Sequence, residues 1–350
     1  MIPYLLVLLV PCIFALFSGR KVSMPLWIST FLLYVTFVGL RFEVGPDWFQ
    51  YLFIHKFISN ENVSDIILRP EPLSYLLFWI SENSGLHMYL TNMVGAFMMI
   101  LGVFTFARRT SNPWIAIVAA TPYFILITGM SGVRQAMAAG IVLFLLSRWE
   151  HFSLPRRGIY ILIAALFHTS ALVNNTLLIA KLNIPLRYKV FIGSAILLLT
   201  FYLSSEVAMY ADSVTLYKQR YLNESEFVRS FGSLYHIAMI AIPTALGLFY
   251  KKRITPYIHS PALLNFSLYA SLSVLAINFI STTVASRITI YLYFIPMMIY
   301  PALVETFGRR SRQMIAFAIV AFHILILVTW LSLGNVSASY IPYNNVLFDD

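Results

Sequence analysis

Arg41, Arg69, Arg134 and Arg287, with Asp47, Glu71 and His168, are polar residues set at the ends and breaks of long apolar runs. Guanidinium groups bind carboxylates and phosphates through a planar fork of donors. A carboxylate or an imidazole can take a proton from a hydroxyl. Cations beside proton acceptors make a site suited to a phosphorylated substrate and an attacking hydroxyl.

Local spacing sharpens this. In Arg41-Phe42-Glu43-Val44-Gly45-Pro46-Asp47-Trp48-Phe49-Gln50-Tyr51, Gly45-Pro46 forces a turn and Asp47 stands where the next helix needs an N-cap. Arg69-Pro70-Glu71-Pro72 repeats the device before a short apolar helix over 73–80. Gly129-Met130-Ser131-Gly132 opens a helix with Arg134-Gln135 in its first turn, and Ala136, Ala138, Ala139 and Gly140 allow a neighbouring backbone to come close. An arginine there opposes the helix dipole. With the free amides of the helix start, however, it makes a phosphate site. Arg287 has the same placement after Ser281-Thr282-Thr283. His168-Thr169-Ser170 interrupts the run 158–182, with Thr169 and Ser170 placed to cap a second half-helix.

The elements that position these residues are membrane helices. Hydrophobic residues make up 59% of the 350 and charged ones only 11%, with mean hydropathy +0.78. A soluble domain averages about 25% charged residues, so a water-facing surface is excluded. Apolar runs fall near 2–17, 24–40, 86–107, 113–128, 132–147, 158–182, 190–203, 233–250, 263–280, 288–306 and 314–333.

Basic residues gather in cytoplasmic loops. With Arg20 and Lys21 inside, Arg108/Arg109, Arg148/Arg156/Arg157, Lys251/Lys252/Arg253 and Arg309/Arg310/Arg312 also fall inside. Lys181, Arg187 and Lys189 join them if 158–182 enters and returns as a hairpin broken at His168. Of the acidic residues only Glu150 and Glu305 are then inside. The net charge of +10 is thus a topology signal, and no nucleic-acid partner is expected. The expectation is an all-α polytopic protein, a single transmembrane domain over 1–350 with about ten spans, the hairpin, and both termini outside. Residues 41–85 form an outer-face segment with interfacial helices, and 204–232 is the longest outer loop. In that loop Tyr217, Tyr221 and Arg220 are suited to a glycan, as is Tyr51.

The lone cysteine, Cys12, excludes a disulfide framework and a cysteine-based metal site. No removable signal peptide is expected. Walker A, G-x-G-x-x-G, H-E-x-x-H, D-x-D and G-x-S-x-G are absent from the sequence, so no cofactor or metal is expected.

Arg41-x-x-x-Gly45-x-Asp47-x-x-x-Tyr51 resembles the early motif of the EpsG/Wzy family of bacterial polysaccharide polymerases. So do Glu71-Pro72, Gly132-Val133-Arg134-Gln135, Phe167-His168-Thr169-Ser170-Ala171, Arg287 before a tyrosine-rich span, and Tyr340-Ile341-Pro342-Tyr343, in the family's order. One departure is Pro46-Asp47-Trp48, where members more usually have a small polar residue before the aspartate and tyrosine after it.

The resemblance implies a GT-C-like helical fold in the bacterial cytoplasmic membrane with its site on the outer face. It implies transfer of a growing glycan from undecaprenyl diphosphate to the terminal sugar hydroxyl of the next lipid-linked repeat unit. It also implies a flippase and a chain-length co-polymerase as partners. On this reading Arg134 and Arg287 hold the diphosphate, supported by Arg41, Arg69 and Gln135. Asp47, Glu71 and His168 remain alternatives for the base, and without D-x-D the transfer is expected to be metal-independent. A flippase of the lipid-linked unit, or an O-antigen ligase-type transferase with the same donor, would place arginines in the same way.

Overall fold

The computed structural model describes residues 1–18, 22–180, 184–185, 187–189, 191–196, 199, 231–279 and 282–348. Tyr217, Arg220 and Tyr221, with nearly all of the 204–232 loop, lie outside the described residues, as do Arg20, Lys21 and Lys181.

The described chain is almost entirely helical. It runs α1 (Ile2–Phe17), α2 (Met24–Gly39), α3 (Trp48–Ile58), α4 (Val63–Ile67), α5 (Pro72–Asn83), α6 (His87–Ala107), α7 (Pro113–Ala120), α8 (Gly129–Ser131), α9 (Val133–Ser147), α10 (Leu154–Phe167) and α11 (Asn175–Ala180). After these come α12 (Phe231–Phe249), α13 (Lys251–Ile254), α14 (Pro261–Asn278), α15 (Thr282–Tyr291), α16 (Phe294–Glu305) and α17 (Arg309–Leu333). Proline opens many of them, at a position where no amide hydrogen is needed. The side chains of Asn112 and Ser260 accept from Ile115 and Leu263 to cap α7 and α14.

Four stretches among the described residues are long and apolar enough to cross a bilayer: His87–Ala107, Pro113–Ser131, Pro261–Asn278 and Arg309–Leu333. A fifth forms if Val284–Tyr291 and Phe294–Glu305, bent by 50°, count as one span. Four further apolar helices are shorter: Ile2–Phe17, Met24–Gly39, Val133–Ser147 and Tyr235–Phe249. The chain is an all-α membrane protein. Exposed side chains such as Phe17, Leu272, Phe279, Phe317 and Leu325 suit contact with lipid.

The central stretch, Pro113–Ser131, is nearly wholly buried, and α7 packs against α1, α16 and α17. Its second half, Thr121–Thr128, is a π-helix with all eight residues buried. Such turns are rare and frequent at functional sites. Beside it, α6 and α9 meet backbone to backbone. A Cβ on Gly102 would lie 2.1 Å from the Gly140 carbonyl oxygen, and one on Gly140 2.4 Å from that of Met98.

A strap closes one end of the bundle. Tyr340 donates to the Ile127 carbonyl at the end of the π-helix, and its own carbonyl accepts from Tyr4 on α1. Tyr343 donates to the Phe37 carbonyl on α2 and stacks on the Phe37 ring at 4.1 Å. A short antiparallel pair, β1 (Arg41–Phe42) with β2 (Asn344–Asn345), completes it. The start of α1 and the segment after α17 therefore lie at the same end as the Gly129–Arg134 turn.

Candidate functional site

Glu71 is where polar side chains of several elements converge in space. Between Pro70 and Pro72 it adopts φ 60°, ψ 46°, the left-handed region that a residue with a Cβ enters only under constraint. That backbone turns its carboxylate inward. Oε2 accepts from Arg134 at 2.7 Å. Oε1 accepts from the His168 ring at Nδ1 (2.6 Å), the Thr169 amide (2.8 Å) and the Thr169 hydroxyl (3.1 Å). One carboxylate ties α5 to the start of α9 and to the break after α10.

Burial alone would raise the Glu71 pKa. The charges of His168 and Arg134, with hydrogen bonds from His168 and Thr169, outweigh it and hold the group well below the usual carboxylate range. Glu71 is therefore ionised and can only accept, so Nδ1 of His168 carries the hydrogen, and whenever the ring is neutral the lone pair is on Nε2. The glutamate side chain is 1% exposed, against 18% for Arg134 and 14% for His168. The carboxylate is enclosed, while Arg134 and His168 keep partial exposure.

The break at His168 is built by the same elements. The Phe167 carbonyl, near the end of α10, accepts from Ser74, one turn after Glu71. Chain direction changes at His168 into a 3-10 turn, Thr169–Asn174. Ser170 shares a hydrogen bond with Tyr291 at 3.0 Å.

Two tyrosines frame Arg134: its guanidinium carbon is 6.0 Å from the Tyr51 ring centre and 5.8 Å from that of Tyr75. Arg69 stands 5.6 Å from the same Tyr75 ring and is ion-paired through two contacts to Glu61. Gln135 donates to the Arg287 carbonyl at 2.8 Å and so joins α9 to α15. The Arg287 side chain is exposed and makes no ion pair among the described residues.

Asp47 accepts from Ser131 at 2.7 Å. Gly45, at φ +104°, lies so close to Met130 that a Cβ would come within 2.0 Å of its carbonyl oxygen. The 45–51 segment is thus locked onto the turn that presents Arg134.

A family model, that of the EpsG family, matches residues 24–345. The chain belongs to the EpsG family. No curated protein and no solved structure matches it.

Within this cluster the sequence candidates divide. Glu71, Arg134, His168, Gln135 and Tyr51 come together, with Arg287 at the edge and Arg69 across Tyr75. Arg41 does not join them. It is buried, and its three donor positions bond to Val44, Val38 and Asn92, closing the end of α2. Asp47 reaches the cluster only through Ser131. Among the described residues no three His, Cys, Asp or Glu side chains come together as metal ligands. Sequence reasoning missed Tyr75, Ser74, Ser131 and Tyr291. Two had a readable signal, since Tyr75 and Tyr291 follow Glu71 and Arg287 by one helical turn.

Proposed function

We propose that this protein is a polysaccharide polymerase that moves a growing glycan from a lipid diphosphate to the terminal sugar hydroxyl of the next lipid-linked repeat unit. The observation that carries this reading is the Glu71–His168 contact, with Arg134 on the same carboxylate and both partners partly exposed. Family membership supports polysaccharide polymerisation in general.

Glu71 is a positioning residue, holding the His168 ring in the tautomer whose Nε2 can accept a proton. The acceptor hydroxyl gives its proton to Nε2 as its oxygen bonds to the donor's anomeric carbon. The bond from that carbon to the diphosphate oxygen breaks, and the diphosphate leaves with the electron pair. Arg134 and Arg287 stabilise the charge growing on it, in a site where water is sparse. Asp47 holds the Arg134 turn. Arg69, sharing Tyr75 with Arg134, lends positive potential.

On this reading the four shorter apolar helices also cross the membrane, bringing the described spans to eight or nine of the roughly ten expected, in a GT-C-like arrangement. The site end of the bundle faces outward from the bacterial cytoplasmic membrane. Undecaprenyl diphosphate is the proposed carrier, and a flippase and a chain-length co-polymerase are proposed partners.

The test is reconstitution of the purified protein with an undecaprenyl-diphosphate-linked repeat unit and a gel of the products. Wild type is expected to yield a ladder that His168→Ala and Arg134→Ala abolish. Movement of the unit across the bilayer without a ladder would overturn the reading in favour of a flippase.

A further inference from the structure

Two neighbouring cavities line one face of α14. The larger, about 380 Å³, is bordered by Val173, Phe266, Ala270, Val274, Ile277 and Ile288 among others. The smaller, about 180 Å³, reaches Trp149 and Ala262. They share Phe266 and Tyr269, so together they follow α14 from Ala262 to Ile277. At 1.5 Å per residue that is about 22 Å, most of a hydrocarbon layer.

One end of this groove adjoins the polar site. Ile288 and Leu292 line it, and each directly follows a residue of the site's edge. Arg287 precedes Ile288, and its carbonyl is held by Gln135. Tyr291 precedes Leu292, and its hydroxyl is bonded to Ser170. Asn174, at the end of the 3-10 turn after His168, also lines it. A mostly apolar groove, with Lys189 also on its lining, thus includes the residue next to Arg287, whose exposed side chain makes no ion pair among the described residues. This charge complementarity fits an amphiphile with a long hydrocarbon tail and an anionic head.

We propose that the groove along α14 binds the polyprenyl chain of the lipid-diphosphate substrate, with the diphosphate beside Arg287 and Arg134. This rests on the polymerase reading and deepens it. A seated tail fixes the diphosphate in depth and orientation, so that the anomeric carbon is presented toward His168 instead of drifting with the bilayer. Tail burial would also give the protein a preference for long-chain carriers, since each buried methylene adds to affinity.

Two measurements separate this proposal from the reading it rests on. The first needs no turnover: the full chain in nanodiscs is labelled with a benzophenone-bearing long-chain polyprenyl diphosphate that carries no sugar. Adducts are expected on residues 266–277 and 288–292, displaced by undecaprenyl diphosphate but not by excess phospholipid. Adducts elsewhere, or displacement by phospholipid, would overturn the groove assignment even if the protein polymerises.

The second compares donors carrying a long polyprenyl chain with donors carrying a ten-carbon chain. Ser273→Trp fills the groove from an exposed position, and Ala270→Phe from a buried one. Each should lower the long-to-short ratio of kcat/KM about tenfold, the effect of keeping roughly two methylenes from burial. An unchanged ratio would overturn the proposal. Failure of wild type to polymerise with either donor would instead refute the polymerase reading, leaving the labelling experiment to decide the groove.

Discussion

Oε1 of Glu71 and Nδ1 of His168 are 2.6 Å apart, although the residues are separated by 97 positions and sit on different elements. The contact exists because each partner stands at a place where its helix is interrupted. Glu71 lies in a left-handed turn between two prolines, and His168 lies where α10 gives way to a 3-10 turn. A regular helix at either position would turn its side chain elsewhere.

Glu71→Gln should test what this contact does. The amide removes the charge that fixes the His168 tautomer, and it can turn a donor toward Nδ1. Polymer formation is expected to fall about a hundredfold or more, within the range that a positioned base contributes. His168→Ala should be as severe, and the double variant little worse than either single one, because residues acting as a unit are not additive. Additive losses in the initial rates of ladder formation would separate the two roles.

The same pair sets an acid limit on stability. The folded pKa of Glu71 lies well below its ordinary value, so its stabilisation is complete above the unfolded value of about 4.3 and is lost as pH falls below that toward the folded pKa. Glu71→Gln lacks this contribution and leaves Arg134 without its partner. At neutral pH it should cost about 3–5 kcal/mol, the penalty for breaking a buried ion pair. Melting temperatures in detergent should therefore differ most between wild type and variant above pH 5, and converge below about pH 4. A constant gap down to strong acid would mean that Glu71 is not ionised in the fold.

Much of this site could be read from the chain before its fold. Arg134, His168 and Glu71 were legible because a charged or polar residue beside a helix break in an apolar chain has few structural excuses. Their partnership was not legible. A phosphate was the expected partner of Arg134, and nothing in the chain showed that Glu71 would also pair with it from 63 positions away. The partners of Arg41 were equally hidden: carbonyls of its own turn and Asn92 take its donors, so it stands apart from the cluster. The helical class followed from hydropathy alone. The count of long spans did not, since runs such as 2–17 and 132–147 form apolar helices of fewer than 18 residues.

Asp47 offers a sharp distinction between holding and reacting. Its Oδ2 accepts from Ser131, and an asparagine can still accept there through its remaining carbonyl oxygen. If Asp47 only tethers the Arg134 turn, Asp47→Asn should retain activity within about tenfold of wild type while Asp47→Ala loses about a hundredfold, the larger loss reflecting misplacement of a group in the site. Ser131→Ala should resemble Asp47→Asn in direction. Equal and complete loss in Asp47→Asn and Asp47→Ala would return Asp47 to the role of base.

His55 gives a prediction outside the site, on the helix that carries Tyr51. It is wholly buried and stacks on Phe78 with ring centres 4.8 Å apart. Neither ring nitrogen has a hydrogen-bond partner among the described residues, and Glu82 lies 3.7 Å away, beyond hydrogen-bonding range. Burial pushes its pKa down to about 4 against the pull of Glu82. Between the unfolded value of about 6.5 and that folded value, the unfolded chain binds a proton that the folded one refuses, so stability falls as pH drops through this window. Phenylalanine keeps the stack and removes both orphaned nitrogens. His55→Phe should therefore be neutral or stabilising at pH 7.5, by about 1 kcal/mol, and its advantage should grow as the pH falls from 6.5 to 4. Thermal unfolding of the two proteins across that range would check it. A large loss of stability at neutral pH would mean instead that His55 makes a polar contact essential to the packing of α3 on α5.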